Sequence, residues 1–242
     1  NVLSDSFICR PLFSLVFRSF VLTNFSRNLD GSMGNRFSLV YYQELFMNRR
    51  ESLFYVPPID AIFNSLYFGL ITVGIALFLG FLAASVISTR SCRGKLLDPI
   101  LMLPLGTSAV TLGLGFILVF NNPPLDVRSF PFLVPIAHSL VAMPFVVRIL
   151  QPVIASIPRA LKYSAMVLGA SPWRTFCQIE FPILFRAIIS AALFAFTISL
   201  GEFGATTFLA RPEQPTIPIA IYRYLSQPGG LNYGQAMAMS TI

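Results

Sequence analysis

Apolar positions along this chain come in long blocks, not in the stripes of a half-buried helix or the alternation of a strand. A bilayer span needs about 20 mostly apolar residues. The first clear block is 61–88 (AIFNSLYFGLITVGIALFLGFLAASVIS), free of charge and closed by Arg90, Arg93 and Lys95. A second runs over 99–120 and meets turn residues at Asn121-Asn122-Pro123-Pro124. A third covers 130–153 and a fourth 183–200, with Arg186 at the edge where its stem can snorkel. A fifth begins near Tyr233. Residues 7–23 are not a signal peptide, because Arg10 and Arg18 interrupt the run and no small-residue cleavage site follows; they read as the end of a membrane helix.

These blocks predict an all-α, polytopic transmembrane helical bundle. Small residues recur at four-residue spacing in three of them: Ala76/Gly80/Ala84, Thr107/Thr111/Gly115 and Ala187/Ala191/Ala195. That spacing lets helices approach closely. Residues 89–97 are short and basic, and 154–182 holds Arg159, Lys162 and Arg174. The positive-inside rule puts both on the cytoplasmic side, with 121–129 and the Pro- and Gly-rich segment 204–232 outside. The expected organisation is therefore a preceding helix end (1–24), an external linker loop (25–60) and a transmembrane domain (61–242). The chain opens on Asn1 and stops at Ile242 inside an apolar run, so a fragment cut at both ends is expected.

Composition agrees. Only 11% of the 242 residues are charged, against about 25% for an ordinary soluble domain. The net charge of +7 is scattered without an aromatic–basic surface pattern, which argues against nucleic acid. Cys9, Cys92 and Cys177 lie far apart and imply neither a disulfide framework nor a metal site. No G-x-x-x-x-G-K-[ST], H-E-x-x-H or G-x-S-x-G occurs, so the sequence offers no ATP cradle and no hydrolase signature.

The informative segment is 154–182. It is too polar to span and too patterned for a slack connection. Pro158 can open a helix, Gly169 can end it at positive φ, and Ser171 can cap a second short helix with Pro172 at its first position. Trp173, Phe176 and Ile179 recur at helical spacing, and Pro182 is expected to start the next span. Among isolated polar residues, Glu202 and His138 are candidates for a pathway or gate. Glu202 could instead bond backbone at a helix break between Gly201 and Gly204, and His138 could simply pack with satisfied nitrogens. Arg148 reads as snorkelling and Asp98 as the cap of the second span.

The 154–182 segment resembles the EAA loop of binding-protein-dependent ABC importer permeases. The family pattern is Glu-Ala-Ala, three residues, Gly, nine residues, Ile-x-Leu-Pro. It falls here on Tyr163-Ser164-Ala165, Gly169 and Ile179-Glu180-Phe181-Pro182, with Tyr163, Ser164 and Phe181 departing in identity. The resemblance implies that this loop couples to an ATPase, with Tyr163, Ser164, Ala165, Gly169, Ala170, Ile179 and Pro182 as the coupling residues. The segment from Ser199 to Met239, with Gly201–Ala205 reading Gly-Glu-Phe-Gly-Ala, is similar to the ends of iron(III) and thiamine permeases. Sulfate and molybdate permeases share the Gly-Glu-Phe-Gly-Ala segment, and polyamine and phosphonate permeases are further rivals.

As a whole, the resemblance implies a multi-pass bacterial inner-membrane transport subunit that is not itself an enzyme and binds no cofactor. Its implied partners are a cytoplasmic ATPase dimer that binds ATP and Mg, an extracytoplasmic solute-binding protein, a second permease half or subunit and the lipid bilayer. The competing class, a passive channel or membrane scaffold, would not need the EAA spacing.

Overall fold

The structure is a computed structural model that describes residues 2–22, 36–47, 57–89, 91–120, 132–211 and 213–242. The chain divides into two compact units, one of Asn1–Ser65 with Arg211–Ile242 and one of Leu66–Ala210.

The Leu66–Ala210 unit is built from helices α3 (Pro58–Ser88, shared with the other unit), α4 (Cys92–Gly106), α5 (Ala109–Phe120) and α6 (Leu133–Ser156). They are followed by α7 (Arg159–Val167), α8 (Pro172–Thr175), a π-turn (Phe176–Glu180), α9 (Phe181–Gly201) and α10 (Gly204–Leu209). Among the described residues, three helical runs are long and apolar enough to cross a bilayer: Pro58–Ser88, Leu133–Ser156 and Pro172–Gly201. A fourth crossing exists if the bent pair of α4 and α5 counts as one.

Side-chain contacts fix the directions of these helices. Thr72 donates to the Pro135 carbonyl (3.4 Å) and Ser88 to the Gln151 carbonyl (3.2 Å). Thr72 to Ser88 and Pro135 to Gln151 are equal steps, so α3 and α6 run parallel and in register. Helix α9 runs antiparallel to α6, since His138 meets Ser199 at one end and Phe145 packs on Phe194 nearer the other. Two parallel neighbours require α4 and α5 to return the chain between them. The basic segments after α3 and after α6 therefore share one end of the unit, as the charge asymmetry predicts.

The seam follows the small residues. Ala76, Ala84, Ala191 and Ala195 are fully buried, and a Cβ on Gly80 would sit 2.6 Å from Val146 Cγ1. Val146, Val147 and Leu150 fill the space opposite. In lipid such contact gains little from leaving water and much from close van der Waals fit, which is why small residues rather than large ones line it. The third stripe behaves differently. Thr107 and Thr111 are exposed and a Cβ on Gly115 would meet nothing, whereas Gly113 is buried against Ala205.

The second predicted span is corrected on three counts. It begins at Cys92, not Pro99, and its N-cap is Ser91, whose hydroxyl accepts from the Gly94 amide at 3.3 Å. Asp98 therefore lies inside the helix and pairs with Arg148 (3.5 Å) instead of capping. The run also breaks after Gly106, where Thr107 turns extended and the next helix leaves at 102°. Pro104 and Gly106 just before the bend weaken the helix there, and Thr107 and Ser108 follow with hydroxyls that compete for backbone groups.

The other unit contains α1 (Val2–Phe20), α2 (Val40–Leu45), the start of α3, α11 (Ile217–Leu225) and α12 (Gly230–Thr241). Strands β1 (Val21–Leu22) and β2 (Arg36–Phe37) form one short antiparallel pair. The predicted external linker is thus partly folded, while much of the rest of 25–60 lies outside the described residues. Helix α2 packs on α12, where Gly234 leaves room for the Tyr41 ring and Gln235 donates to the Glu44 carbonyl (3.1 Å). Tyr42 links Ser19 (2.9 Å) to Thr241 (2.6 Å). The predicted loop 204–232 likewise holds two short helices, α10 and α11. The latter starts where the Ser65 hydroxyl accepts from the Ile217 amide at 2.9 Å.

Candidate functional site

The 154–182 segment folds as a tight hairpin of helices at the basic end of its unit. Pro158, extended at φ −62° and ψ 129°, precedes α7. Helix α7 ends at Leu168, and Gly169 takes φ +80°. The Gly169 amide donates to the Met166 carbonyl (3.0 Å) and the Ala170 amide to the Ala165 carbonyl (2.9 Å), the paired bonds of a Schellman cap. Ser171 then accepts from the Arg174 amide (3.3 Å) with Pro172 at the first helical position. These three local features stand as read from the sequence.

Nothing lies within 4 Å of a Cβ built on Gly169, so its requirement is conformational. Forcing an L side chain into this region costs about 1–2 kcal/mol. Gly169→Ala is therefore expected to speed hydrogen exchange of the Ala170 amide roughly five- to thirtyfold, with Gly169→Asn affected less. Equal exchange in all three proteins would show that the cap does not limit opening of the turn.

Pro182 stands in the first turn of α9, as expected, but the chain is already helical ahead of it, from Pro172 through the π-turn. The π-turn at Phe176–Glu180 makes this possible. A proline lacks the amide and crowds the carbonyl four residues back, and the wide turn, closed by the Phe181 amide on the Phe176 carbonyl, relaxes that crowding.

Lys162 Nζ meets Glu180 Oε1 at 2.8 Å, tying α7 to the π-turn. Of the candidate residues, Tyr163, Ser164, Gly169 and Pro182 are exposed, while Ala165, Ala170 and Ile179 are half-buried between the arms. Three residues outside the motif dominate the surface: Val167 (87% exposed), Leu168 (86%) and Trp173 (74%). Their signal was present in the sequence, because the consecutive apolar run Met166-Val167-Leu168 before a glycine cannot all face inward.

The second candidate lies at the far end of the same unit. His138, 1% exposed, has Nδ1 2.8 Å from Ser199 Oγ and Nε2 2.7 Å from Thr206 Oγ1. Ser199 also reaches Thr72 (3.3 Å), and Thr206 donates to the Glu202 carbonyl (2.7 Å). Glu202 is half-buried at the break between α9 and α10, and its Oε1 accepts from the Ala205 amide (3.0 Å). It satisfies a first-turn amide of α10 there, as its backbone-bonding reading anticipates. His138 and Glu202 are thus joined through Thr206, whose role periodicity alone does not reveal. The α7–α8 hairpin and this polar cluster are not brought together. No group of three or more His, Cys, Asp or Glu that could hold a metal occurs among the described residues.

Residues 76–239 match the family described as the binding-protein-dependent transport system inner membrane component, which covers more than half of the chain. The chain belongs to this family. Its relatives are permeases. A Salmonella typhi protein named as a 2-aminoethylphosphonate transport system permease, PhnV, is 26% identical over 95% of this chain and 87% of its own length. A sulfate transport system permease protein, cysT, of Anthoceros angustus is 33% identical over 54% of the chain and 42% of its own length. The molybdenum permease ModB of Haemophilus influenzae is 38% identical over 39% and 42%.

Among solved structures, a bacterial ABC transporter involved in import of the acidic polysaccharide alginate shares the fold. Its TM-score is 0.69 at 14% identity, covering 99% of this chain and 88% of that one. The permease is accordingly an inner membrane component of a binding-protein-dependent transport system, multi-pass by its several apolar helices. A system of this kind implies a solute-binding protein. Its relatives carry the names of phosphonate, sulfate and molybdenum permeases. That favours the rival substrates of the sequence reading over iron(III) or thiamine.

Proposed function

We propose that this permease imports a small oxyanion, of the phosphonate, sulfate or molybdate class, across a bacterial inner membrane. It does so by docking the α7–α8 hairpin into a cytoplasmic ATPase. The observation that carries the docking is the hairpin itself, with Val167, Leu168 and Trp173 exposed on a turn held by the Gly169 cap and the Lys162–Glu180 pair. Large apolar side chains at the water end of a bundle mark a protein contact. Tyr163, Ser164, Ala165, Gly169, Ala170, Ile179 and Pro182 shape that contact.

ATP and Mg are held by the ATPase dimer, whose closure moves the hairpin. The helical continuity from Pro172 to Gly201 carries that motion along the span. An extracytoplasmic binding protein delivers the solute, and a second permease half completes the path. The substrate class rests on the names of the relatives.

The test is uptake by the assembled transporter in proteoliposomes, with its binding protein outside and ATP inside. Accumulation of sulfate, molybdate or 2-aminoethylphosphonate, and not of ferric iron or thiamine, is the expected result. ATP-driven uptake of thiamine or ferric iron would overturn the oxyanion assignment and leave the docking reading standing.

A further inference from the structure

The polar cluster around His138 spans a break in the main chain. Ser199 lies before the break on α9, Thr206 lies after it on α10, and Gly201–Gly204 separates them. One imidazole bonds both.

The hydroxyl protons assign its tautomer. Thr206 gives its proton to the Glu202 carbonyl at 2.7 Å, the favoured bond of a threonine to the carbonyl four residues back. Thr206 Oγ1 can then only accept from His138, so Nε2 carries the hydrogen. On the other side, Ser199 has only a longer outlet at 3.3 Å toward Thr72. Its proton turns to His138 Nδ1 at 2.8 Å, and Thr72 keeps the Pro135 carbonyl. A neutral imidazole thereby has both nitrogens satisfied, as a fully buried one requires.

The two bonds differ in what they hold. The Nδ1 bond joins α6 to α9, which already pack along the apolar seam. The Nε2 bond joins α6 to α10. Helix α10 in turn packs backbone to backbone on α5, since a Cβ on Gly113 would lie 2.9 Å from Ala205 Cα and one on Gly204 3.0 Å from the Val110 amide nitrogen. Fixing α10 therefore fixes α5, and with it the bent half of the α4–α5 pair.

We propose that His138 is a positioning residue for transport: through Nε2–H···Thr206 it braces the α9–α10 break and so sets where α10 and α5 stand against the α6–α9 body.

Thr206→Val and Ser199→Ala are matched tests, because each leaves one buried imidazole nitrogen without its partner. Spin labels on exposed Leu193 (α9) and Thr207 (α10) report the distance across the break. The protein is the permease in its assembled transporter, in lipid nanodiscs, with Cys9, Cys92 and Cys177 replaced by serine. Thermal stability is expected to fall alike in both variants. The distance distribution is expected to widen by about twofold or more in Thr206→Val only.

His138→Gln, whose amide reaches the Nε2 position and can donate to Thr206, is expected to keep the narrow distribution. His138→Asn, whose amide reaches only toward Ser199, is expected to widen it. Equal widths in Thr206→Val and Ser199→Ala, or a narrow His138→Asn beside a broad His138→Gln, would overturn the brace. If Thr206→Val does not assemble, the glutamine and asparagine pair decides alone.

Discussion

Replacing Val167 and Leu168 together with aspartate should weaken association of the permease with its ATPase by at least about thirtyfold. An aspartate buried in an apolar contact without a partner costs about 2 kcal/mol or more, and 1.4 kcal/mol is tenfold in affinity. Both side chains are more than four-fifths exposed in the chain by itself, so the fold loses nothing by their removal. One complication has a known sign. These positions end α7, where acids oppose the helix dipole by about 0.3–1 kcal/mol each and bases favour it. The lysine pair Val167→Lys/Leu168→Lys separates the two effects. Docking through apolar contact predicts that aspartate and lysine variants both lose the ATPase in pull-down titrations. Loss with aspartate and retention with lysine would mean that fraying of α7 is responsible, and the apolar contact would be the wrong explanation.

The second large effect is expected at Gly113. A Cβ there would lie 2.9 Å from Ala205 Cα and 3.1 Å from its carbonyl oxygen, so backbone rather than a flexible side chain would have to yield. Overpacking of this kind costs about 1–3 kcal/mol, and more where nothing can move. Gly113→Leu is expected to lower the midpoint of thermal unfolding in detergent strongly, and Gly113→Ala by an intermediate amount. Gly115→Ala, two residues along the same helix, meets nothing within 4 Å and should leave the midpoint unchanged or slightly raised. A tolerated Gly113→Leu would show that α5 and α10 are not held in contact in the solubilised protein.

What the sequence made legible was local. Gly169, Ser171 and Pro172 announce their roles within four residues, because a cap is satisfied by atoms close along the chain. The apolar blocks announce their helices for the same reason. Four features were hidden, each for a physical cause. The break after Gly106 is ambiguous, since proline and glycine also occur within unbroken membrane helices. The helical turns ahead of Pro182 are hidden because only the three-dimensional π-turn reveals how a helix leads into a proline. Helix α11 looks like loop because its first amide is received by Ser65, far away in the chain. The His138 cluster was hidden most deeply. Thr72, Ser199 and Thr206 are unremarkable residues that acquire meaning only when α3, α6, α9 and α10 meet.

The bend between α4 and α5 has a consequence for solvation. Helix ends leave their terminal amides and carbonyls without intrahelical partners, and a bend doubles the number of ends. Hydrocarbon accepts no such groups, so non-helical backbone at membrane depth persists only against protein or against water. Thr107 and Ser108 stand exposed at this bend, between two apolar helices. Where this bend stands in hydrocarbon, water or a further protein surface therefore has to meet these two residues, and lipid chains are kept from that point.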